Sequence, residues 1–315
     1  FGAVPGPFGF GLWTAHYAPA MLGMTTVLVE RFQADEVIRL LQEEGVTLLA
    51  CVSTQFKMML DSLAIETADG LRLRAMFTGG EAVPYERAAQ FEDRVGARVL
   101  QFYGSNESGA ISATTLRDTR EHRLGTAGRV YPHMGLRLFD SEGRDITDTG
   151  GPGIPGVLGP TLCMGYYGDA GANAELFHDG RLMMPDLVTV DADGYLRVVG
   201  RTSDLIIRGG KNISAVEVEE LVESHPSVLM ASAVPVPDDV FGERIGVAVT
   251  VRGPALTLAA LTEFLAERGI SKHLYPERVV VVDELPQSTG GKVAKKVVRA
   301  LVAAQDGTDI DLRVR

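Results

Sequence analysis

Between residues 34 and 103, near-continuous apolar runs alternate with amphipathic ones, and glycine closes several of the segments. Val37, Ile38, Leu40 and Leu41 fall at helical spacing over 34–44, with Gly45 as the stop. An apolar strand follows at 46–52, then a Met-rich helix from Ser53 to Leu63. Arg74 to Thr78 reads as a second strand running into Gly79-Gly80. Pro84 opens a helix that reaches Val95 with Gly96 as its cap, and 97–103 is a third strand. Strands without polar alternation, separated by helices, predict an α/β fold with a parallel sheet covered on both faces.

From 119 to 203 the texture changes. Short strands alternate with Gly, Pro and Asp turns, including the hairpin signal Asp191-Ala192-Asp193-Gly194, so a small β-barrel or curled antiparallel sheet is expected. Asp204 begins a third unit. Ser214-Ala215-Val216-Glu217 is a capping box for a helix to Ser224. Strands near 228–236, 245–251 and 278–282 and helices over 257–268 and from 291 complete an α+β domain. The expected division is 1–118, 119–203, 204–304 and a polar, mobile tail at 305–315.

A chain of 315 residues that is 45% apolar has enough core for two or three such units. Its net charge of -11 without a basic block argues against a nucleic-acid surface, so any polyanionic ligand must rely on a few placed cations and backbone amides. Cys51 and Cys163 lack CxxC spacing and read as buried structural thiols, as suits a reducing cytoplasm. Residues 1–29 carry no Asp, Glu, Lys or Arg, but Pro5, Pro7, Pro19 and five glycines predict broken helix there and no membrane span.

Several motif look-alikes fail on inspection. A P-loop needs Gly five residues before its last glycine and Ser or Thr after its lysine. Lys292 has Pro286 and Val293 in those places, and Lys211 has Leu205 and Asn212. Gly151-Pro152-Gly153-Ile154-Pro155-Gly156 matches a dinucleotide string but carries two prolines and reads as a turn. The histidines lack metal-ligand spacing, and the Asp191 turn lacks the calcium-loop pattern.

Two further segments carry chemistry. Pro286-Gln287-Ser288-Thr289-Gly290-Gly291-Lys292 places a lysine on a small-residue loop before a basic helix. Gly200-Arg201-Thr202-Ser203-Asp204 leads into Leu205-Ile206-Ile207-Arg208-Gly209-Gly210-Lys211. With Gly79-Gly80-Glu81, Phe102-Tyr103-Gly104-Ser105-Asn106-Glu107 and Met184-Pro185-Asp186, they resemble the C-terminal half of the adenylate-forming superfamily. That superfamily comprises acyl- and aryl-CoA synthetases, luciferases and peptide-synthetase adenylation domains. The texture around Gly209 is nearest to acyl-CoA synthetases.

The resemblance implies a role for each segment. Gly79, Gly80 and Glu81 edge the adenine and the acyl pocket, where bare backbone lets a flat base approach. Tyr103 and Gly104 lie near adenine, Asn106 (usually Thr) donates to the α-phosphate, and Glu107 holds the Mg2+ that bridges the ATP phosphates. Asp186 takes the ribose hydroxyls, with Pro185 where the family has glycine, and Arg201 also reaches the ribose. Asp204 is the hinge of a mobile C-terminal cap. Gly209 and Gly210 border the pantetheine tunnel, and Lys292 bridges the carboxylate and the α-phosphate. Small residues Ser108, Gly109 and Ala110 leave room for a ring or chain.

The implied reaction is ATP-dependent activation of a fatty or aromatic carboxylic acid, through an acyl-adenylate, followed by thioester formation with coenzyme A in the cytoplasm. Loading of a carrier-protein thiol is the alternative acceptor, and self-association is left open. The family's Thr/Ser-Gly-rich phosphate loop occurs nowhere in the chain, which opens on Phe1 instead of Met. The expectation is therefore the C-terminal part of such an enzyme, or a fragment that binds nucleotide weakly.

Overall fold

An uncharged, proline-containing start and a glycine-punctuated middle set the first unit. The structure is a computed structural model that describes residues 1–315 except 5, 7, 68, 69, 81, 82, 289–291, 306–308, 314 and 315. It divides into Phe1–Val198 and Val199–Arg315. The opening stretch forms α1 (Gly9–Leu12), a π-type turn over Trp13–Tyr17, and α2 (Ala18–Leu22). Pro19 does not break this run as expected. It sits in the first turn of α2, where a missing N–H is tolerated, and Gly23 at φ +65° ends the helix. No helix among the described residues is long and apolar enough to cross a membrane.

The alternation over 34–103 folds as α3 (Ala34–Glu43), β1 (Leu48–Ala50), α4 (Ser53–Asp61), β2 (Ala75–Gly79), α5 (Tyr85–Val95) and β3 (Arg98–Ser105). β1 pairs parallel to β2, and β2 parallel to β3, with Leu49 opposite Met76 and Phe77 opposite Leu100. Val37, Ile38 and Leu41 of α3, Phe56 and Met59 of α4, and Phe91 of α5 pack on Met76 and Val99. The sheet is not purely parallel. After β3 a tight turn leads into β4 (Gly109–Ala113), too short for a crossover, so β4 returns antiparallel. α6 (Arg120–Gly125) then delivers β5 (Arg129–Val130), also antiparallel, in the order β1-β2-β3-β4-β5.

The turn-rich stretch forms β6 (Gly135–Phe139), β7 (Ile154–Leu158), α7 (Ala170–Leu176), β8 (Phe177–His178) and β9 (Arg181–Met183). Its strands make a four-stranded antiparallel sheet in the order β6-β7-β9-β8. β10 (Asp186–Val190) and β11 (Leu196–Arg201) form a separate hairpin. The expected turn closes it: Gly194 has φ +82° and its N–H donates to the Asp191 carbonyl at 3.0 Å. Ile111, Leu138, Val157, Leu182 and Leu196 make the core beneath.

In the second unit a 3-10 turn, Thr202–Asp204, precedes β12 (Leu205–Arg208), β13 (Lys211–Ser214), α8 (Ala215–Glu223), β14 (Val228–Asp238) and β15 (Gly242–Val251). Then come α9 (Leu258–Glu267), β16 (Arg278–Val281), α10 (Lys295–Ala303) and β17 (Asp309–Asp311). Ser214 caps α8 by accepting the Glu217 N–H at 3.4 Å. The strands read as apolar because both sheet faces are covered. Val247 and Val249 meet Val218, Val222 and Leu261 on one face, while Ala248 and Val280 meet Val298 and Val302 on the other. Within the tail, where mobility was expected, β17 pairs parallel to β16, with Ile310 and Leu312 on the same apolar cluster.

Candidate active site

In the first unit, Gly79 and Gly80 lie at the C-terminal end of β2, and Tyr103 to Glu107 at that of β3, the end at which open α/β sheets bind ligands. Gly79 closes β2. A Cβ there would lie 2.5 Å from the Phe102 carbonyl oxygen, so bare backbone is required by the neighbouring strand. Gly80 follows at φ +81°, and Glu81 lies outside the described residues.

Tyr103 is 7% exposed and packs with Ile111 and Leu196. Its hydroxyl donates to Asp186 Oδ2 at 2.8 Å. Asp186, the first residue of β10, is 9% exposed, and a carboxylate that buried needs donors. The structure thus gives Tyr103 the task of orienting Asp186, which the sequence did not disclose. Gly104 lies at a β-bulge, and a Cβ there would be 2.0 Å from the Gly109 carbonyl oxygen. Glycine is demanded at 104 by the hairpin itself, whatever ligand lies nearby.

The turn after Gly104 is cross-tied by two serines. Ser105 N–H donates to Ser108 Oγ at 2.9 Å, and the N–H groups of Glu107 and Ser108 donate to Ser105 Oγ at 3.2 and 3.1 Å. Ser108 is buried, and Gly109 abuts Thr161, whose hydroxyl donates to the Ser108 carbonyl at 2.7 Å. These two small residues are packed within the turn, and Ala110 beyond them is exposed. Asn106 is exposed, and its Oδ1 accepts the Gly9 N–H at 2.7 Å.

Glu107 Oε1 accepts the Tyr166 hydroxyl at 2.9 Å, and the Glu107 carbonyl accepts the N–H of half-buried Cys163 at 2.7 Å. Burial pushes the Glu107 carboxyl up, but hydrogen bonds from Ser105, Tyr166 and its own N–H outweigh this and hold it below 4.5. The bond to Glu107 in turn raises the Tyr166 hydroxyl. Asn173 on α7 clamps Tyr166 from both sides. Its Oδ1 accepts the Tyr166 N–H at 2.7 Å, and its Nδ2 donates to the Tyr166 carbonyl at 2.9 Å. Neither residue was found from sequence. The pair Tyr166-Tyr167 between Gly165 and Gly168 was the only signal, and it does not say which carboxylate it serves. Cys163 is half-buried, not buried as expected; Cys51 is buried.

The other sequence-derived residues belong to the second unit. Arg201 ends β11 and is exposed. Asp204 Oδ2 lies 3.6 Å from Lys295 Nζ, which is 2.9 Å from Glu219 Oε1. Burial pushes the Glu219 carboxyl up against the pull of Lys295, and the net direction is upward. Gly209 and Gly210, at φ +56° and +80°, form the two-residue turn between Arg208 and Lys211, a conformation that glycine adopts without strain. The Gly209 N–H donates to the Phe241 carbonyl at 2.8 Å, and Arg208 stacks 4.6 Å from the Phe241 ring while gripping Glu277 through two 2.9 Å bonds.

Half-buried Lys292 precedes α10 on a loop closed at its neck. Ala294 N–H donates to the Pro286 carbonyl, and Ser288 N–H to the Lys292 carbonyl, both at 2.7 Å. Thr289, Gly290 and Gly291 lie outside the described residues. Among the described residues no group of three or more His, Cys, Asp or Glu side chains is placed to hold a metal. A single carboxylate such as Glu107 suits a hard cation whose other ligands come from phosphate and water.

The chain is 35% identical over 285 residues to indoleacetate–CoA ligase of Aromatoleum aromaticum, covering 89% of this chain and 55% of that protein. It is 31% identical over 301 residues to medium-chain fatty-acid–CoA ligase of Escherichia coli, covering 94% of this chain and 53% of that one. The chain thus spans about half the length of these curated relatives. The crystal structure of ATP-bound MatB from Rhodopseudomonas palustris superposes with a TM-score of 0.85 at 26% identity, covering 96% of this chain and 60% of that one. Residues 2–167 match the AMP-binding enzyme family and residues 217–292 its C-terminal domain, so this chain belongs to the AMP-binding enzymes.

Proposed function

We propose that the protein activates a carboxylic acid with ATP as an acyl-adenylate and passes the acyl group to the thiol of coenzyme A. The observation that carries this reading is the pairing of two held carboxylates with one strand end. Tyr103 fixes Asp186, and Tyr166 fixes Glu107, on either side of the turn after β3. Asp186 takes the ribose hydroxyls, and Arg201 contributes to the same sugar. Gly79, Gly80 and Glu81 border the base and the acid. Asn106, whose Oδ1 is taken by the Gly9 N–H, keeps an amide donor for the α-phosphate. Glu107 would hold Mg2+, which when bound supplies charge neutralisation on the ATP phosphates.

Lys292 places an ammonium between the incoming carboxylate and the α-phosphate, where negative charge accumulates as the new P–O bond forms and pyrophosphate leaves. Asp204 serves as the hinge and the Gly209-Gly210 turn as the border of the thiol's path, so that the thiolate displaces AMP from the acyl carbon in the second step. Bridges of Gly153 to Val188 and of Arg129 to Tyr195 support a small barrel formed around β6–β11. The test is carboxylate-dependent ATP–pyrophosphate exchange across aliphatic and aromatic acids, followed by transfer to free CoA or to a phosphopantetheine carrier. Exchange with no acid in the panel would overturn the reading, and transfer to the carrier alone would move it to the loading enzymes.

A further inference from the structure

Lys295 occupies a position that a simple account of helix stability does not favour. It is the first residue of α10, where the helix dipole opposes a cation, and its side chain is only 25% exposed. It is offset by two carboxylates, Asp204 Oδ2 at 3.6 Å and Glu219 Oε1 at 2.9 Å. Each carboxylate is held by a second donor: Ser203 Oγ donates to Asp204 Oδ1 at 3.0 Å, and Ala233 N–H donates to Glu219 Oε1 at 2.8 Å. Apolar residues of similar volume are often as stable as a partly buried ion cluster, so stability alone does not account for this one. Retention for conformational specificity is the physical alternative.

The cluster joins two segments to which the proposed mechanism assigns motion or chemistry. Upstream is the start of the second unit, where Val199 is bonded by Ser214 Oγ at 2.6 Å and Asp204 is paired with Lys295. Downstream, Lys295 follows directly on Ala294, whose N–H closes the neck of the Lys292 loop on Pro286 at 2.7 Å. We propose that Lys295 is a positioning residue that fastens Asp204 to the second unit and sets the pivot and the Lys292 loop in register with each other. On this account the Asp204 side chain is fixed on the second-unit side of the pivot instead of being free to swing. The hinge role of Asp204 rests on the function proposed above.

The test compares Lys295→Met, Lys295→Arg and the double variant Lys295→Met/Glu219→Gln, which also removes the nearer, partly buried carboxylate that the single variant leaves without its Lys295 partner. Two readouts are taken: amide hydrogen exchange over 199–208, and separate rates for acyl-adenylate formation and for transfer from supplied acyl-adenylate. Lys295→Met and the double variant should exchange faster over 199–208 and should change the ratio of the two rates by about tenfold, a coupling of the size found between contacting residues. Lys295→Arg should restore both. Unchanged exchange over 199–208, or equal losses in the two rates, overturns the proposal. A wild-type protein that forms no acyl-adenylate sinks the functional reading instead, while the exchange measurement still decides whether Lys295 fastens Asp204.

Discussion

The Tyr103 hydroxyl donates to Asp186 Oδ2 at 2.8 Å, joining β3 to β10 through a bond that is buried at both ends. Two segments distant in sequence are thereby locked in one geometry, and a carboxylate that would otherwise be costly to bury is held in place.

Removing that bond should therefore be visible in nucleotide binding. Tyr103→Phe keeps the ring among Ile111 and Leu196 but removes one donor to Asp186. Hydrogen bonds to charged groups are worth about 1.5–3 kcal/mol, so ATP affinity should fall about tenfold or more. Titration of ATP or AMP by calorimetry measures this directly. Unchanged affinity would remove Asp186 from the nucleotide site.

Tyr166→Phe and Glu107→Gln separate positioning from ligation. If Glu107 is the carboxylate that meets Mg2+, Glu107→Gln should raise the Mg2+ concentration needed for half-maximal adenylation by about tenfold or more, the order seen when the surroundings of a metal ligand are disturbed. Tyr166→Phe keeps the carboxylate but loses the 2.9 Å bond, so its effect should be smaller and in the same direction. Identical Mg2+ dependence in all three proteins would count against Glu107 as the ligand.

Lys292→Ala should slow acyl-adenylate formation by roughly 10²–10³, the loss expected for one preorganised electrostatic contact. Transfer to CoA from supplied acyl-adenylate should suffer far less. Arg201→Ala should instead weaken nucleotide binding in both steps, because the ribose is present throughout. An unchanged adenylation rate would return Lys292 to an ordinary surface lysine.

A stability prediction stands apart from the chemistry. Arg123, 4% exposed, grips Glu92 through 2.6 and 2.8 Å bonds. Burial pushes the Glu92 carboxyl up, but Arg123 and the Val99 N–H outweigh it and hold Glu92 below its ordinary 4.5. The folded state then binds a proton less readily than the unfolded one, so this contribution is present above pH 4.5 and lost as pH falls through the lower folded value. Arg123→Met leaves the acid buried beside the more distant Arg120, and should cost about 3–5 kcal/mol at pH 7. The deficit should shrink on acidification as Glu92 takes up a proton. A deficit that is constant with pH in urea melts would assign the loss to packing alone.

Glycine stops and apolar runs revealed α3, β1, β2, α5 and β3 to within a few residues, because local signals and tertiary packing agree there. The antiparallel return through β4 was missed, since nothing in Ser105 to Gly109 advertises a hairpin whose turn is tied by serine hydroxyls. Pro19 misled by its type; its position in a helical first turn is what decides its effect. Glu107 stands out in its motif as a candidate, but its partners Tyr166 and Asn173 do not, because a side chain that orients another acts across 59 residues and follows no local period. Lys295 stayed hidden for the same reason: its carboxylates come from a turn and a helix far up the chain.

The 2.0 Å separation between a Cβ at 104 and the Gly109 carbonyl oxygen makes the turn that carries Asn106 and Glu107 a fixed datum. Reshaping it would first require prising apart two backbones. Under the proposed function, a change of preference among acids would therefore fall on residues that face this turn, and a library aimed at new acids should leave 104–109 alone.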